Sequence, residues 1–568
     1  NDKLFVSKNG TFFSNGTGTQ DPAAGSNPVY SGGFLTSRKA DGFYFSVDGY
    51  SAQVVTADFG QHGYAYTPPT GFKAVNSENL PDPTINFPDK HFDTVLYTGD
   101  GNATGSQTNV LEFQPDWLWT KPRNAAYVHL FYDSVRGAGS LKALNLGGGT
   151  SPGTGGEGAA VDNSVYGFLN SFDANGFSYT KGSFSTTYFN QSGINYVVWN
   201  WNAGDTDSKT YVVKVHNFSG NNRYIFDDFQ TEAVTLTLAE GGTYIFNMDD
   251  ASNASHPFMI GTTANDNTTA FGSGIVYKLD GVVKTFAEYH AGFYSATTRR
   301  LEFTIPASTN NLFYFCYSHS GMGGQVITNS TLGSSNFDGS IQSVAKVNAS
   351  AGFSIVLYTG NGTAGATIGH GLGVTPQTFI VKKRSDSGTN WRVYHHRLNG
   401  GSSPEDYNLI LNQSSVELDR DDFNDTAPTS TSFTLGTHTS TNNNGHTYVA
   451  YCFSEVAGYS KFGSYTGNGS TNGTFVFTGF RPAVIILKRT NTAASWVIHD
   501  DKRAGYNGDN DYLHPDLVQA ESDGSTGTLD ILSNGFKLRM TAGTHNGSGD
   551  TFIYLAFAES PFKYARAR

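Results

Sequence analysis

The sequence predicts an all-β fold, built as tandem β-sandwich modules with one inserted β domain, and three observations predict it. Short strands with alternating or continuous apolar character recur, such as Tyr211-Val-Val-Lys-Val215 and Ala483-Val-Ile-Ile-Leu487, while few windows show a helical period. The 67 glycines, 14 % aromatic residues and only 15 % charged residues suit strands joined by tight turns. An ordered set of four short pieces occurs three times. At 568 residues the chain is too long for one core, so roughly three to five domains are expected.

The first piece is a strand running into a glycine turn: Phe92–Gly101, Phe353–Gly362 and Phe462–Gly469. Its Tyr-Thr-Gly-Asn/Asp-Gly ending fits a turn that needs positive φ. The second places a proline six residues before a lysine across an apolar strand, at Pro115 and Lys121, Pro376 and Lys382, and Pro482 and Lys488. Proline at the start of a strand spares the hydrogen-bond ladder. The third is a short strand near Asn175-Gly-Phe177, Thr431-Ser-Phe433 and Asn534-Gly-Phe536. The fourth is an apolar strand: Tyr196–Trp201, Tyr448–Phe453 and Phe552–Phe557. Three copies of one β domain are the simplest reading, strung end to end.

These pieces set the expected boundaries. Residues 1–70 are the C-terminal part of a sandwich, and 71–90 are a proline-rich connector. Residues 91–206 are the first repeat and 207–335 an insert. Residues 336–458 and 459–568 are the second and third repeats. Residue 1 is Asn rather than Met, which suggests a processed chain or a start inside a longer polypeptide.

The net charge of −12, with no Lys/Arg cluster, argues against nucleic-acid binding. No apolar run reaches the length of a membrane span. Two distant cysteines, Cys316 and Cys452, exclude a disulfide framework. Asn-x-Ser/Thr triplets at Asn102, Asn361 and Asn468 read as turn chemistry rather than glycan acceptors.

The insert carries the only chemistry-bearing constellation: His256-Pro257, then Cys316, His319 and Met322 about sixty residues on. The pattern resembles the cupredoxin ligand set. The resemblance implies a Greek-key β domain with copper held by His256, Cys316, His319 and Met322. A scaffold of the same spacing without bound metal is the alternative.

Lys8-Asn-Gly10, Asp21–Pro28, Asp58-Phe-Gly-Gln61 and Tyr66–Phe72 resemble the second half of a SPRY or concanavalin-like sandwich. The three repeats, and the ending Ala556–Arg568, resemble domains of virion proteins of tailed phages, many of them marine. That resemblance implies a non-enzymatic fibre or appendage at the virion surface. Its expected partners are other virion proteins, host-surface glycans and copies of itself, a trimer first. A capsid-decorating or connector protein, a copper redox protein and a glycan-degrading enzyme are the competing readings.

Other patterns are weaker. Gly149-Thr-Ser151-Pro-Gly153 matches a hydrolase pattern but lies in a glycine-rich loop. His395-His396 reads as a surface pair, and Leu418–Asp425 as a solvated acidic turn rather than a calcium loop. Trp117, Trp119, Trp199, Trp201, Trp391 and Trp496 read as core, with a sugar-stacking platform as the alternative.

Overall fold

The computed structural model describes scattered residues of the first 31 and most of 79–565. The interruptions are 147–156, 158–163, 185–187, 205–207, 330–331, 386–387, 504–506, 508–509 and 523–526. The fold is nearly all β, 43 % strand and 6 % helix. Residues 1–82 and 83–568 form two compact units. In the first, Lys3–Leu4 pairs with Tyr30–Ser31 and Ser7–Lys8 with Thr11–Phe12. Most of the residues that carry the SPRY resemblance, and of the proline-rich connector, lie outside the described residues, as does Gly149–Gly153.

Each repeat is a sandwich of one large and one small sheet. In the first repeat the large sheet runs in the order Phe92–Thr98, Asn195–Trp201, Trp117–Pro122, Leu130–Asp133, Leu144–Asn145. Thr104–Gln107, Gly176–Lys181 and Gly167–Asp173 cover one face. The second repeat centres on Phe353–Thr359, Thr447–Phe453, Thr378–Lys383 and Arg392–His395, in an eight-stranded sheet. The third uses Ser460–Thr466, Thr551–Pro561, Phe480–Arg489 and Val497–Asp500.

Equivalent residues meet in all three. Tyr97 stacks on Tyr196, Tyr358 on Tyr448 and Tyr465 on Phe552, with ring centroids 4.7, 5.1 and 4.8 Å apart. The glycine turns adopt positive φ at Gly101, Gly362 and Gly469. Each turn is held by a buried asparagine, whose side-chain oxygen accepts from Asp100 N–H (Asn190), Asn361 N–H (Asn442) or Asn468 N–H (Asn546). The turn reading of the asparagine triplets thus has a structural cause.

The repeats are not strung end to end. Alternation along each strand sends Leu118 into the first repeat's own sandwich and Trp117 and Trp119 out of its other face. That second face meets the second faces of the other two sheets in one core, which holds all six tryptophans, each at most 1 % exposed. The large sheets are therefore buried on both sides, and all six residues of Trp117–Pro122 are buried.

The polar contacts around this core close a ring. Asp133, His395 and Asp500 hold the same register, opposite Trp117, Thr378 and Val484. Asp133 accepts from Tyr451 O–H at 2.7 Å, first repeat to second. Asp500 accepts from Trp199 Nε1–H at 3.0 Å, third to first. His395 Nε2 lies 3.4 Å from Tyr554 O, second to third. A second ring runs the other way. Trp391 Nε1–H donates to Asn145 O, Trp496 Nε1–H to Ile410 O, and His129 Nε2 faces His514 O at 3.1 Å. The result is a pseudo-threefold rosette within one chain.

The buried charges follow the same logic. Arg136 and Arg503 each pair with the aspartate three residues earlier, both side chains fully buried. In the second repeat these positions are His395 and Leu398, and the residue of the third repeat in the register of Tyr451 and Trp199 is Leu555, which has no side-chain donor. A carboxylate there would lack a partner. His395 is therefore buried, not a surface residue, and His396 Nε2 contacts Phe462 O at 2.7 Å. The motif lysines are buried too. Lys121 is satisfied by the carbonyls of Pro122, Ala125 and Val518, and burial pushes its amine down to about 7.

The acidic run departs from a solvated turn at two residues, and Phe423 packs in the second repeat's core. Asp422 is fully buried beside Arg392 and His438.

Two outcomes follow from the ring. Tyr451→Phe removes one donor from a buried carboxylate and should cost about 1–3 kcal/mol, read as a shifted urea midpoint at unchanged slope. Leu555→Met, at the equivalent position without that bond, should cost less than about 1.5 kcal/mol. The second concerns acid. Burial holds His129, His395 and His499 well below the ordinary imidazole range and pushes His545 down to about 3. The unfolded chain then binds more protons below about pH 6.5, so stability falls as pH drops from there toward about 3. Asp501, pushed up to about 7 by burial, acts in the opposite sense, as do the carboxyls of Asp93, Asp116, Asp227, Asp422 and Asp516, each raised by burial, while His256, His290, His370, His396 and His438, all lowered by burial, add to the loss. Urea unfolding between pH 7 and 4 should show the loss, with a shallower slope in His499→Gln.

Candidate metal centre

The insert folds as two facing sheets. One runs Asn221–Phe226, Ser208–Phe218, Thr243–Asn247, Arg299–Thr304, Ile275–Leu279, Val282–Lys284; the other runs Leu236–Ala239, Gly324–Asn329, Leu312–Cys316, Phe258–Gly261. Between them lies an aromatic core of its own, which includes Tyr224, Phe246, Phe258 and Tyr314.

The ladder between two of these strands builds the site. Phe258 pairs with Cys316, and Tyr317 N–H donates to Pro257 O at 2.8 Å. That register sets His256, just before one strand, beside Cys316 at the end of the other. The chain then loops through His319 and Met322 and turns back at Gly323. A Cβ there would stand 1.7 Å from Tyr314 O, so only glycine allows the return.

The donors converge. His256 Nδ1 is 3.1 Å from His319 Nδ1, and Cys316 Sγ is 3.5 Å from His319 Nδ1 and 3.9 Å from His256 Nδ1. Three donors held about 2.0–2.3 Å from one ion in a trigonal plane stand roughly 3.5–4 Å apart; both sulfur–nitrogen separations meet that, and the two imidazole nitrogens stand a few tenths of an ångström closer. Among the described residues this is the only cluster of three or more His, Cys, Asp or Glu donors. Met322 is buried in the insert core, and its carbonyl accepts from Tyr224 N–H. His256 and Cys316 are buried, and His319 is exposed.

Burial lowers the His256 imidazole, with His319 adding to the effect, and raises the Cys316 thiol. The backbone N–H groups of Ser318 and His319 and the Tyr224 hydroxyl favour the thiolate. Tyr224 also donates to His256 O at 2.8 Å. It lies about thirty residues before any ligand, and sequence spacing gave no reason to single it out.

A family profile matches residues 87–227 and 327–561, well over half of the chain, and it describes a domain of unknown function, DUF7483. The chain belongs to the DUF7483 family. No curated protein and no solved structure matches it. The DUF7483 match spans all three repeats and skips residues 228–326, the stretch that holds every donor of the cluster. The family's part is thus the rosette together with the insert's strands Ser208–Phe218 and Asn221–Phe226, and the candidate metal-binding residues lie in the stretch it skips.

The donor set predicts uptake of one soft cation per chain. Titration with Cu(II) should give a visible sulfur-to-copper absorption band at one equivalent. Cys316→Ser should abolish the band while leaving the far-UV circular dichroism unchanged.

Proposed function

We propose that this chain is a non-enzymatic structural protein of a phage virion, acting as a fibre or appendage component at the particle surface. The rosette is the observation that carries the reading. Three sandwiches spend their inner faces and tryptophans on one another, which leaves loops as the working surface. The resemblance of the repeats and of the C-terminal ending to virion proteins of tailed phages supplies the particle. Host-surface glycan is the ligand class proposed for the loops. A capsid-decorating or connector role differs only in which face is covered.

The donor triad favours a second property, copper binding: His256, Cys316 and His319 would hold the ion, with the Met322 thioether as a weaker fourth ligand. A bound copper ion would supply a one-electron couple or, by binding the native state alone, stability. For a particle protein the stabilising role is the one proposed.

Immunogold labelling of intact particles with antibody against this chain tests the main reading. Labelling at a fibre or appendage supports adhesion, uniform shell labelling supports decoration, and absence from purified particles contradicts both.

A further inference from the structure

The loop that carries Cys316, His319 and Met322 is gripped by a helix that donates no ligand. Helix Phe286–Phe293 begins on a capping box: Thr285 accepts from Glu288 N–H, and the Glu288 carboxylate accepts from Thr285 N–H. His290, on this helix, is buried, and neither ring nitrogen has a hydrogen-bond partner. Its ring lies flat on Tyr317, with centroids 3.7 Å apart and planes at 22°. Phe286 meets it edge-on at 4.3 Å and 83°.

A buried polar group left unpaired costs about 1–3 kcal/mol, of which an N–H aimed at a ring face recovers part. The residue keeps this cost while plating the side chain next to Cys316. Just past the helix, Tyr294 Oη lies 2.7 Å from Ser318 Oγ. From another segment, Asn267 Nδ2–H donates to Tyr317 O at 3.3 Å, and Asn265 Oδ1 accepts from Gly321 N–H at 2.8 Å. Tyr317, Ser318 and Gly321 are therefore all held from outside the loop.

We propose that His290 and Tyr294 are positioning residues for the metal centre, fixing the loop so that Cys316 and His319 stand at binding distance before an ion arrives. Outer groups that orient ligands in this way cut the ordering cost of binding. The inference rests on the copper-binding reading above, but the clamp itself is a property of the metal-free protein.

The test uses the full chain. Iodoacetamide alkylation of the metal-free protein is followed at Cys316 and Cys452 by peptide mass spectrometry, and Cu(I) affinity is read by competition with a chromophoric chelator. Cys452, buried in the second repeat, reports general loosening. In His290→Ala, Cys316 should alkylate about tenfold faster with Cys452 unchanged, and copper affinity should fall about tenfold. Tyr294→Phe should move both readouts the same way by less. His290→Phe, which keeps the plate, should stay near wild type. Wild-type rates at Cys316 in both His290→Ala and Tyr294→Phe would overturn the proposal, as would equal acceleration at both cysteines. If the wild-type chain takes up no copper, the metal reading fails alone, and the alkylation rates still decide the clamp.

Discussion

The rest of the structure depends on the burial of three sheet faces against one another. Trp117 stacks on Tyr451 at 4.5 Å and meets Trp201 at a tilt at 4.4 Å, while Phe557 reaches both Trp201 and Phe453 at 5.6 Å. Large aromatic side chains supply most of the apolar area such a centre needs. With the sheets covered on both sides, polar groups at their ends have no water to turn to. They pair across the repeat boundaries instead, which explains why the hydrogen bonds run in rings and why Asp and Arg give way to His and Leu where the neighbour offers no donor.

A closed rosette constrains where the chain can vary. The insert enters after the last strand of the first repeat and leaves before the second, at the edge of the shared core rather than within it. It brings its own aromatic core, to which the second repeat adds Phe337, stacked on Phe226, and Gln342 of that repeat donates from Nε2–H to Thr235 O. Lys346, on a strand laid down just after the insert, reaches back to Asp116 at 2.8 Å and ties the second repeat to the first. The candidate metal-binding residues, Tyr224 and helix Phe286–Phe293 all lie within the insert.

Much of this was legible in the sequence, and what was not has physical causes. The repeats were readable because the glycine turns and the proline–lysine strands need particular residues at particular positions. The candidate ligands Cys316 and His319 were readable because they follow one strand end closely, and His256 because its His-Pro pair precedes another strand. The rosette was not, because period-2 patterning tells which residues share a face but not what covers it. A strand such as Val484–Leu487, apolar at every position, signals two buried faces without naming the second partner. His395 was misjudged as a surface residue for the same reason: its cover comes from a strand about 160 residues later. The acidic run misled because Asp422 is paired by Arg392 and His438, which sequence distance hides. The clamp through His290 was invisible because stacking leaves no motif.

Native-state hydrogen exchange measures the central claim most directly. A shared core requires the central strands Asn195–Trp201, Thr447–Phe453 and Thr551–Pro561 to be released together. Their slowest amides should therefore exchange with one common free energy and one common denaturant dependence. Three distinct free energies, with one repeat opening while the others stay protected, would contradict the rosette.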